Sequence, residues 1–437
     1  MNYRLRDLPR LMSTAAGRLQ IKEGLAYRAF PLLSLLATLY RRSVLRRLRL
    51  IVVIGSFGKT TTTRALCAAL GQPEHRKLPL NAFSYLAAAV LRLRPRMRTA
   101  AIEVGISAPG QMVRYARLTR PNVVVVTTIG SEGAEQLGSI ERIRDEKADM
   151  LRTLGPTDIA VVNGDDANVL WMAQQTRARF VTFGFTEGCD VRAVESRIDW
   201  PSGTRLTVEL GGERQDLSLR LIGHHMTYPV LAALAVARVE GLDLDEVKAA
   251  LQDLEPTPRR MEPVALDNGA TLLCDDLKSV VETMDAALDV LAEIPAPRRL
   301  VVFGDLSGPA VLTGPVYRRM GERVGAECDA LLVVGRHLEE YAAGARRAGM
   351  SEEAIHCAGD APQSLAATIR AVSRPGDVVL LKGRRGQALE RVRLLLEGQA
   401  VGCERSLCDL TIACSECPML EKGWGDREPV LQRSVRV

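Results

Sequence analysis

Aromatic side chains are scarce, with seven Phe, eight Tyr and three Trp making up 4% of 437 residues. Proteins that grip single-stranded nucleic acid stack its bases on such rings, so the formal net charge of +6 does not point to a nucleic-acid partner. Positive charge is also unevenly placed. Residues 1–50 hold eleven Lys or Arg against Asp7 and Glu23, a local +9, so the remainder carries about −3 and makes no chain-wide field for a polyanion. Within this basic region the longest charge-free stretch, Ala29 to Tyr40, has 12 residues, short of the roughly 18 to 20 that span a bilayer. The start, Met1 to Asp7, leads into mixed-charge sequence without an apolar core ending in small residues, so no cleavable signal is read and a cytoplasmic protein is expected. Five of the nine cysteines (67, 189, 274, 328 and 357) are scattered, which suits a reducing compartment better than a disulfide framework.

A chain of this length exceeds one ordinary core, and two or three domains are expected. The densest chemistry lies in Ile51-Val52-Val53-Ile54-Gly55-Ser56-Phe57-Gly58-Lys59-Thr60-Thr61. A β-branched strand runs into a glycine-flanked turn and then a helix start. Gly55 and Gly58 let the backbone approach a polyphosphate, with Ser56 between them. Lys59 places a point charge on the terminal phosphates, and the Thr60 hydroxyl suits Mg²⁺. The helix from Thr61 to Leu70 aims its N-terminal dipole at the same anion. The spacing is G-x-x-G-K-T, shorter than the common phosphate loop because position 53 is Val. A glycine-rich turn without function is the bland alternative.

Strand and helix alternate from 49 to about 256. Ala100-Ala101-Ile102-Glu103 is a strand ending on a carboxylate, and Pro121 to Gly130 is a buried strand ending in a loop. Ligands of doubly wound sheets sit at the carboxyl ends of strands, so Glu103 and Thr127 to Gly130 are expected to converge on the phosphate loop. Residues 180–220 alternate in polarity and read as a small antiparallel insert. Glu255-Pro256-Thr257-Pro258 reads as a stiff hinge. Three further strands, Leu300 to Asp305, Ala330 to Gly335 and Asp377 to Gly383, complete a second parallel sheet.

The shortened loop, together with several motifs in order, resembles the Mur ligase superfamily of ATP-dependent amide ligases, with folate polyglutamate and cyanophycin synthetases as relatives. Thr127-Thr128-Ile129-Gly130 is similar to the family's T-N-I-G, and Gly138-Ser139 to Lys147 to its G-S-x-E-x-I-x-x-E-K. Val161 to Asp166 is similar to its N-x-D-D element, Gly223 to Ala233 to G-x-H-M-x-Y-N-A-L-A-A, and Arg260-Met261-Glu262 to part of G-R-M-E. Leu272 to Ser279 resembles the D-S-K-A segment of the D-glutamate-adding members. The resemblance covers roughly 49–397.

It implies an ATP-dependent carboxylate–amine ligase working through an acyl phosphate. ATP would lie on Gly55 to Thr61, with His225, Arg260, Asp276 and Lys278 as further contacts, and Mg²⁺ between Thr60, Glu103 and the phosphates. It implies a carbamylated Lys147 that helps a second Mg²⁺, and a catalytic set of Lys59, Lys147 and Arg260. Two departures stand out. Gly133 replaces a metal-binding histidine, leaving Glu132 or Glu135 as substitute oxygen ligands, and Pro229 replaces an asparagine near the adenine. A proline is tolerated in a first helical turn. These departures motivate the alternative of a non-catalytic ATP-binding subunit in a cell-wall or polymer assembly complex.

The expected architecture is α/β: residues 1–48 as a basic helical segment, 49–256 as a phosphate-loop, doubly wound domain, 257–397 as a Rossmann-like domain, and 398–437 as a tail. Family ligases acting on nucleotide-linked sugars have a complete domain where residues 1–48 stand, so a small-molecule or lipid-linked acid and an amino acid are the expected substrates. In the basic segment Leu32, Leu35, Leu36 and Leu39 fall on one helical face, followed by Arg41, Arg42, Arg46, Arg47 and Arg49. A helix docked by its leucines on the protein's own core is preferred, with contact to an anionic membrane surface as the alternative. The tail carries Cys403, Cys408, Cys414 and Cys417, soft ligands suited to Zn²⁺ or an iron–sulfur cluster. Only Cys414-x₂-Cys417 has a familiar spacing, and the proline after it leans to the cluster. Packed small hydrophobes or redox pairs are the bland reading.

Overall fold

The computed structural model describes residues 5–73, 82–307, 314–408, 410 and 412–425. The tail expectation therefore extends past the described residues at 409, 411 and 426–437. Two compact units form: residues 26–256, and residues 1–25 together with 257–437. The N-terminal 48 residues are thus divided between them.

In the unit of residues 26–256, one sheet of eight strands has the order β2-β1-β3-β4-β5-β6-β7-β8. Its strands are β1 (Arg49–Ile54), β2 (Thr99–Glu103), β3 (Val123–Val126), β4 (Ile159–Asn163), β5 (Arg179–Gly184), β6 (Val191–Asp199), β7 (Gly203–Leu210) and β8 (Glu213–Leu219). The first five pair in parallel, β5 also pairs in parallel with β6, and β6 to β8 form an antiparallel meander. The stretch expected as a small insert is thus a continuation of the main sheet. Alternation in β7 reflects an antiparallel strand with one face covered, whereas β3, and β1 after Arg49, are apolar because both faces are buried. Leu50, Val52, Ile54, Val124 and Val126 pack on one face with Leu86, Val90, Met112 and Tyr115. The helix Tyr228–Glu240 is buried along Pro229 to Ala237. Its proline sits in the first turn, as anticipated, and costs no intrahelical bond there.

The helix Phe30–Ser43 reverses one expectation. Phe30, Leu33, Ala37 and Tyr40 are the residues packed on the core. Leu32, Leu35, Leu36 and Leu39 are 60%, 56%, 46% and 55% exposed. The helix docks, but through its other face. Arg41 is buried and donates to the carbonyls of Thr119, Leu45 and Arg120, so it is a structural residue and not part of a surface row.

The second unit holds a sheet of order β13-β12-β11-β14-β10-β9, built from β9 (Glu262–Ala265), β10 (Thr271–Asp275), β11 (Arg299–Phe303), β12 (Ala330–Val333), β13 (Ile355–Cys357) and β14 (Val378–Lys382). All pairings are parallel except β9 with β10. Residues 398–425 follow with little regular structure, and Ala16 of the N-terminal helix Ala15–Arg28 joins Leu394, Val401, Leu410, Met419, Leu420 and Trp424 in a small apolar cluster there. No helix of the described residues is long and apolar enough to cross a membrane.

Candidate active site

β1 lies between β2 and β3, so the turn that follows Ile54 is flanked by the carboxyl ends of both neighbours. Gly55 has φ +143°, and a Cβ there would sit 2.0 Å from Thr127 Oγ1. Only glycine lets the turn pack against β3's end. Ser56 N–H donates to the Thr128 carbonyl at 2.6 Å, and Thr127 Oγ1 donates to the Phe57 carbonyl at 2.5 Å. Gly58, at φ +77°, is the left-handed residue that opens the helix Lys59–Ala69. The turn is thus a pre-formed cradle with helix N-terminal amides at its base, and its glycines leave the backbone open to a bulky anion.

Four side chains, Lys59, Thr60, Glu103 and Lys147, converge on it. Lys59 Nζ donates to the carbonyls of Gly55 and Ser56, both at 2.9 Å, and lies 3.7 Å from Glu132 Oε2. Thr60 Oγ1 donates to Glu103 Oε2 at 2.9 Å, which fixes the carboxylate and hydroxyl as a pair of hard oxygen donors. Lys147, 91 residues along the chain from Ser56, donates to Ser56 Oγ at 2.8 Å. Burial, with Lys59 nearby, holds the Lys147 amine well below the ordinary lysine range, while Asp166 opposes the shift. Burial therefore favours the neutral, nucleophilic form of the amine.

Asp166 ties the far wall together. Its Oδ2 accepts from Thr128 Oγ1 and from Ile129 N–H, both at 2.8 Å, while Oδ1 caps the helix Ala167–Ala173. Gly133, also left-handed, opens the short turn Ala134–Leu137. Of the two acids offered in place of the histidine, Glu132 faces Lys59 and Glu135 is exposed. His225 is half-buried in the turn His224–Met226 at the head of the helix Tyr228–Glu240.

Arg260, Asp276 and Lys278 belong to the other unit. Asp276 departs from the expected ribose contact. Its carboxylate is fully buried and takes Arg259 Nε and Nη2 at 2.5 to 3.1 Å, and Arg259 Nη1 reaches Glu390 at 3.2 Å. Arg259 was not singled out from the sequence, since the motif match rested on Arg260. Lys382, 1% exposed at the end of β14, pairs with Asp275 at 2.5 Å. A lysine closing an otherwise apolar buried strand was the available signal for that pair.

The sequence matches the Mur ligase middle domain over residues 53–237 and the Mur ligase glutamate ligase domain over 259–385. The chain belongs to the Mur ligase superfamily. It is 28% identical over 349 residues to the UDP-N-acetylmuramoyl-tripeptide--D-alanyl-D-alanine ligase of Escherichia coli, covering 79% of this chain and 76% of that protein. The enzyme of the same name from Synechocystis sp. is 29% identical over 354 residues, covering 78% and 73%. The crystal structure of MurF ligase from Thermotoga maritima in complex with ADP superposes with a TM-score of 0.72 at 22% identity, over 85% of this chain and 84% of that one, a likeness of fold. Like its relatives, the protein is an ATP-dependent ligase that joins an acid to an amine, with ATP and Mg²⁺ as cosubstrate and cation. The cradle, Lys59 and the Thr60–Glu103 oxygen pair fit both.

Proposed function

We propose that the ligase extends a peptidyl carboxylate of a cell-wall precursor with an amino acid or a short D-amino-acid peptide, using Gly55 to Thr61 as its phosphate loop. The joint placement of Lys59, Thr60–Glu103 and Lys147 around one cradle carries this reading, and the names of the relatives suggest the substrate class. The acceptor carboxylate oxygen attacks the γ-phosphorus as the bond to ADP breaks. The amine nitrogen then attacks the acyl carbon, phosphate leaves, and the amine gives up a proton. Lys59 neutralises the transferring phosphoryl group, and the loop amides hold the β-phosphate. Thr60 and Glu103 would hold Mg²⁺, which supplies further charge neutralisation. Lys147, whose burial favours the neutral amine, is suited to add CO₂ at Nζ with loss of a proton, giving a carbamate whose oxygens add negative charge beside Ser56. Glu132 takes the place left by Gly133 as an oxygen donor beside Lys59.

ADP release that requires both an acid and an amine, with the amide identified by mass spectrometry across UDP-linked and unlinked peptidyl acids, tests the reading. ATP binding with no ADP release for any acid and amine pair would fit the non-catalytic alternative and remove it.

The exposed leucines of Phe30–Ser43, with exposed Arg28, Arg42, Arg46 and Arg47 nearby, support peripheral contact with an anionic bilayer. The expected result is co-sedimentation with phosphatidylglycerol vesicles, lost in Leu32→Ser/Leu35→Ser/Leu39→Ser and weakened by salt. Equal pelleting of wild type and variant would overturn it.

A further inference from the structure

All four tail cysteines line one cavity of about 20 Å³, together with Arg391 and apolar side chains including Leu410 and Trp424. The segment around it is closed by backbone, with Gly402 N–H and Cys403 N–H both donating to the Leu420 carbonyl, at 2.9 and 3.0 Å. A Cβ on Gly402 would lie 2.1 Å from the Glu421 carbonyl oxygen, and one on Gly423 2.3 Å from that of Gly402. Two chain passes therefore touch backbone to backbone, and every thiol of the cluster lies in the loop between them. Cys408 N–H is anchored to the Gly386 carbonyl at 2.7 Å and Cys414 N–H to Glu390 Oε2 at 2.7 Å. Cys417 N–H donates to the Cys414 carbonyl and Leu420 N–H to that of Cys417, both at 3.0 Å, so the C-x-x-C pair sits on consecutive tight turns.

Charge supplies an independent argument. Arg391 is 2% exposed, and its guanidinium donates to the carbonyls of Gln387, Ala388 and Cys403 and lies 3.3 Å from Cys403 Sγ. Among the described residues no carboxylate pairs with it. A buried cation with only dipoles around it is costly, and an anionic centre in the adjoining cavity would offset it. Four thiolates on one divalent ion provide that anion.

We propose that Cys403, Cys408, Cys414 and Cys417 bind one Zn²⁺ as a tetrathiolate, with Arg391 as the buried counter-charge. Binding forms four Zn–S bonds, and the four S–H protons pass to solvent. Four cysteines around one small cavity suit a single tetrahedral ion, and an iron–sulfur cluster on the same thiols is the rival outcome of the test. Among the described residues no three Cys, His, Asp or Glu groups already stand as a ligand set, so side-chain rotation into the cavity accompanies binding. The segment is short and its apolar cluster small, and a metal is the kind of staple such a segment uses.

Full-length protein produced in zinc-supplemented medium and passed over a chelating resin is expected to retain about one zinc per chain by elemental analysis. A thiol-specific mercurial should release it stoichiometrically. Cys414→Ser/Cys417→Ser should lose the metal, whereas Cys357→Ser, outside the cluster, should keep it. Because the double variant can misfold, the deciding measurement uses wild-type protein loaded with Co²⁺, where intense tetrahedral d–d and sulfur charge-transfer bands are expected. A weak octahedral cobalt spectrum, zinc retention below about a tenth per chain with all four thiols open to Ellman's reagent, or stoichiometric iron and sulfide would each overturn the proposal.

Discussion

Both units place a lysine and acids at the carboxyl ends of a parallel sheet, yet they use them differently. At the end of β1 the charges surround an open cradle. Lys59 leans on its own loop carbonyls, and Thr60 and Glu103 hold each other across neighbouring segments. At the end of β10 and β14 the charges are spent on one another, Arg259 between Asp276 and Glu390 and Lys382 on Asp275. A charged strand end is therefore not by itself a site. Backbone donors and glycines make room for an outside anion at the first strand end, and at the second the same residue types lock the fold.

That contrast is broken most directly at Asp276. Asp276→Ala strands the buried Arg259 charge and is expected to lower stability by about 3–5 kcal/mol, read by denaturant titration. An active-site role would instead lower activity with the melting curve unmoved, which would return Asp276 to the ATP site. Lys59→Ala should show the opposite pattern, a loss of about 10²- to 10³-fold in kcat with little change in unfolding midpoint, by coupled ADP assay. Near-normal turnover would remove the phosphate-loop assignment. Gly55→Ala must relieve the clash with Thr127 Oγ1, and a loss of about 1–3 kcal/mol in stability together with nucleotide affinity is expected, followed by calorimetry. Lys147→Ala should reduce turnover by at least about tenfold, with partial recovery in acetate, which replaces the carbamate oxygens, and none in chloride.

The smallest effect concerns pH. The Lys147 pKa is lowered in the fold, so between that value and the ordinary 10.5 the unfolded chain binds a proton that the folded chain does not. Stability contributed through this group therefore rises with pH across that window, by at most about 1.4 kcal/mol per pH unit. In CO₂-free buffer Lys147→Met should flatten the rise, and an unchanged slope would show that the amine is charged in the folded protein.

The residues 51–61 were legible as strand, cradle and helix start because each step is local: β-branched runs, glycine at left-handed positions, a lysine at a fixed offset. Sequence by itself therefore determined the alternating α/β architecture, the Gly55–Thr60 turn and Glu103 at its neighbouring strand end. Tertiary structure alone decided which charges were left for a ligand. Asp276 and Asp275 are adjacent in sequence, but one faces Arg259 and the other Lys382, and only packing selects the partner. It also decided which face of Phe30–Ser43 is inside, since a helix apolar on both sides gives no pattern to choose by, and Ala37 and Arg41 went in while Leu32, Leu35, Leu36 and Leu39 stayed out. Lys147 was marked only by the family resemblance, and its burial at Ser56 depends on a contact across 91 residues that no local pattern encodes. Short-range backbone chemistry is written in the sequence, whereas burial and charge pairing are properties of the assembled fold.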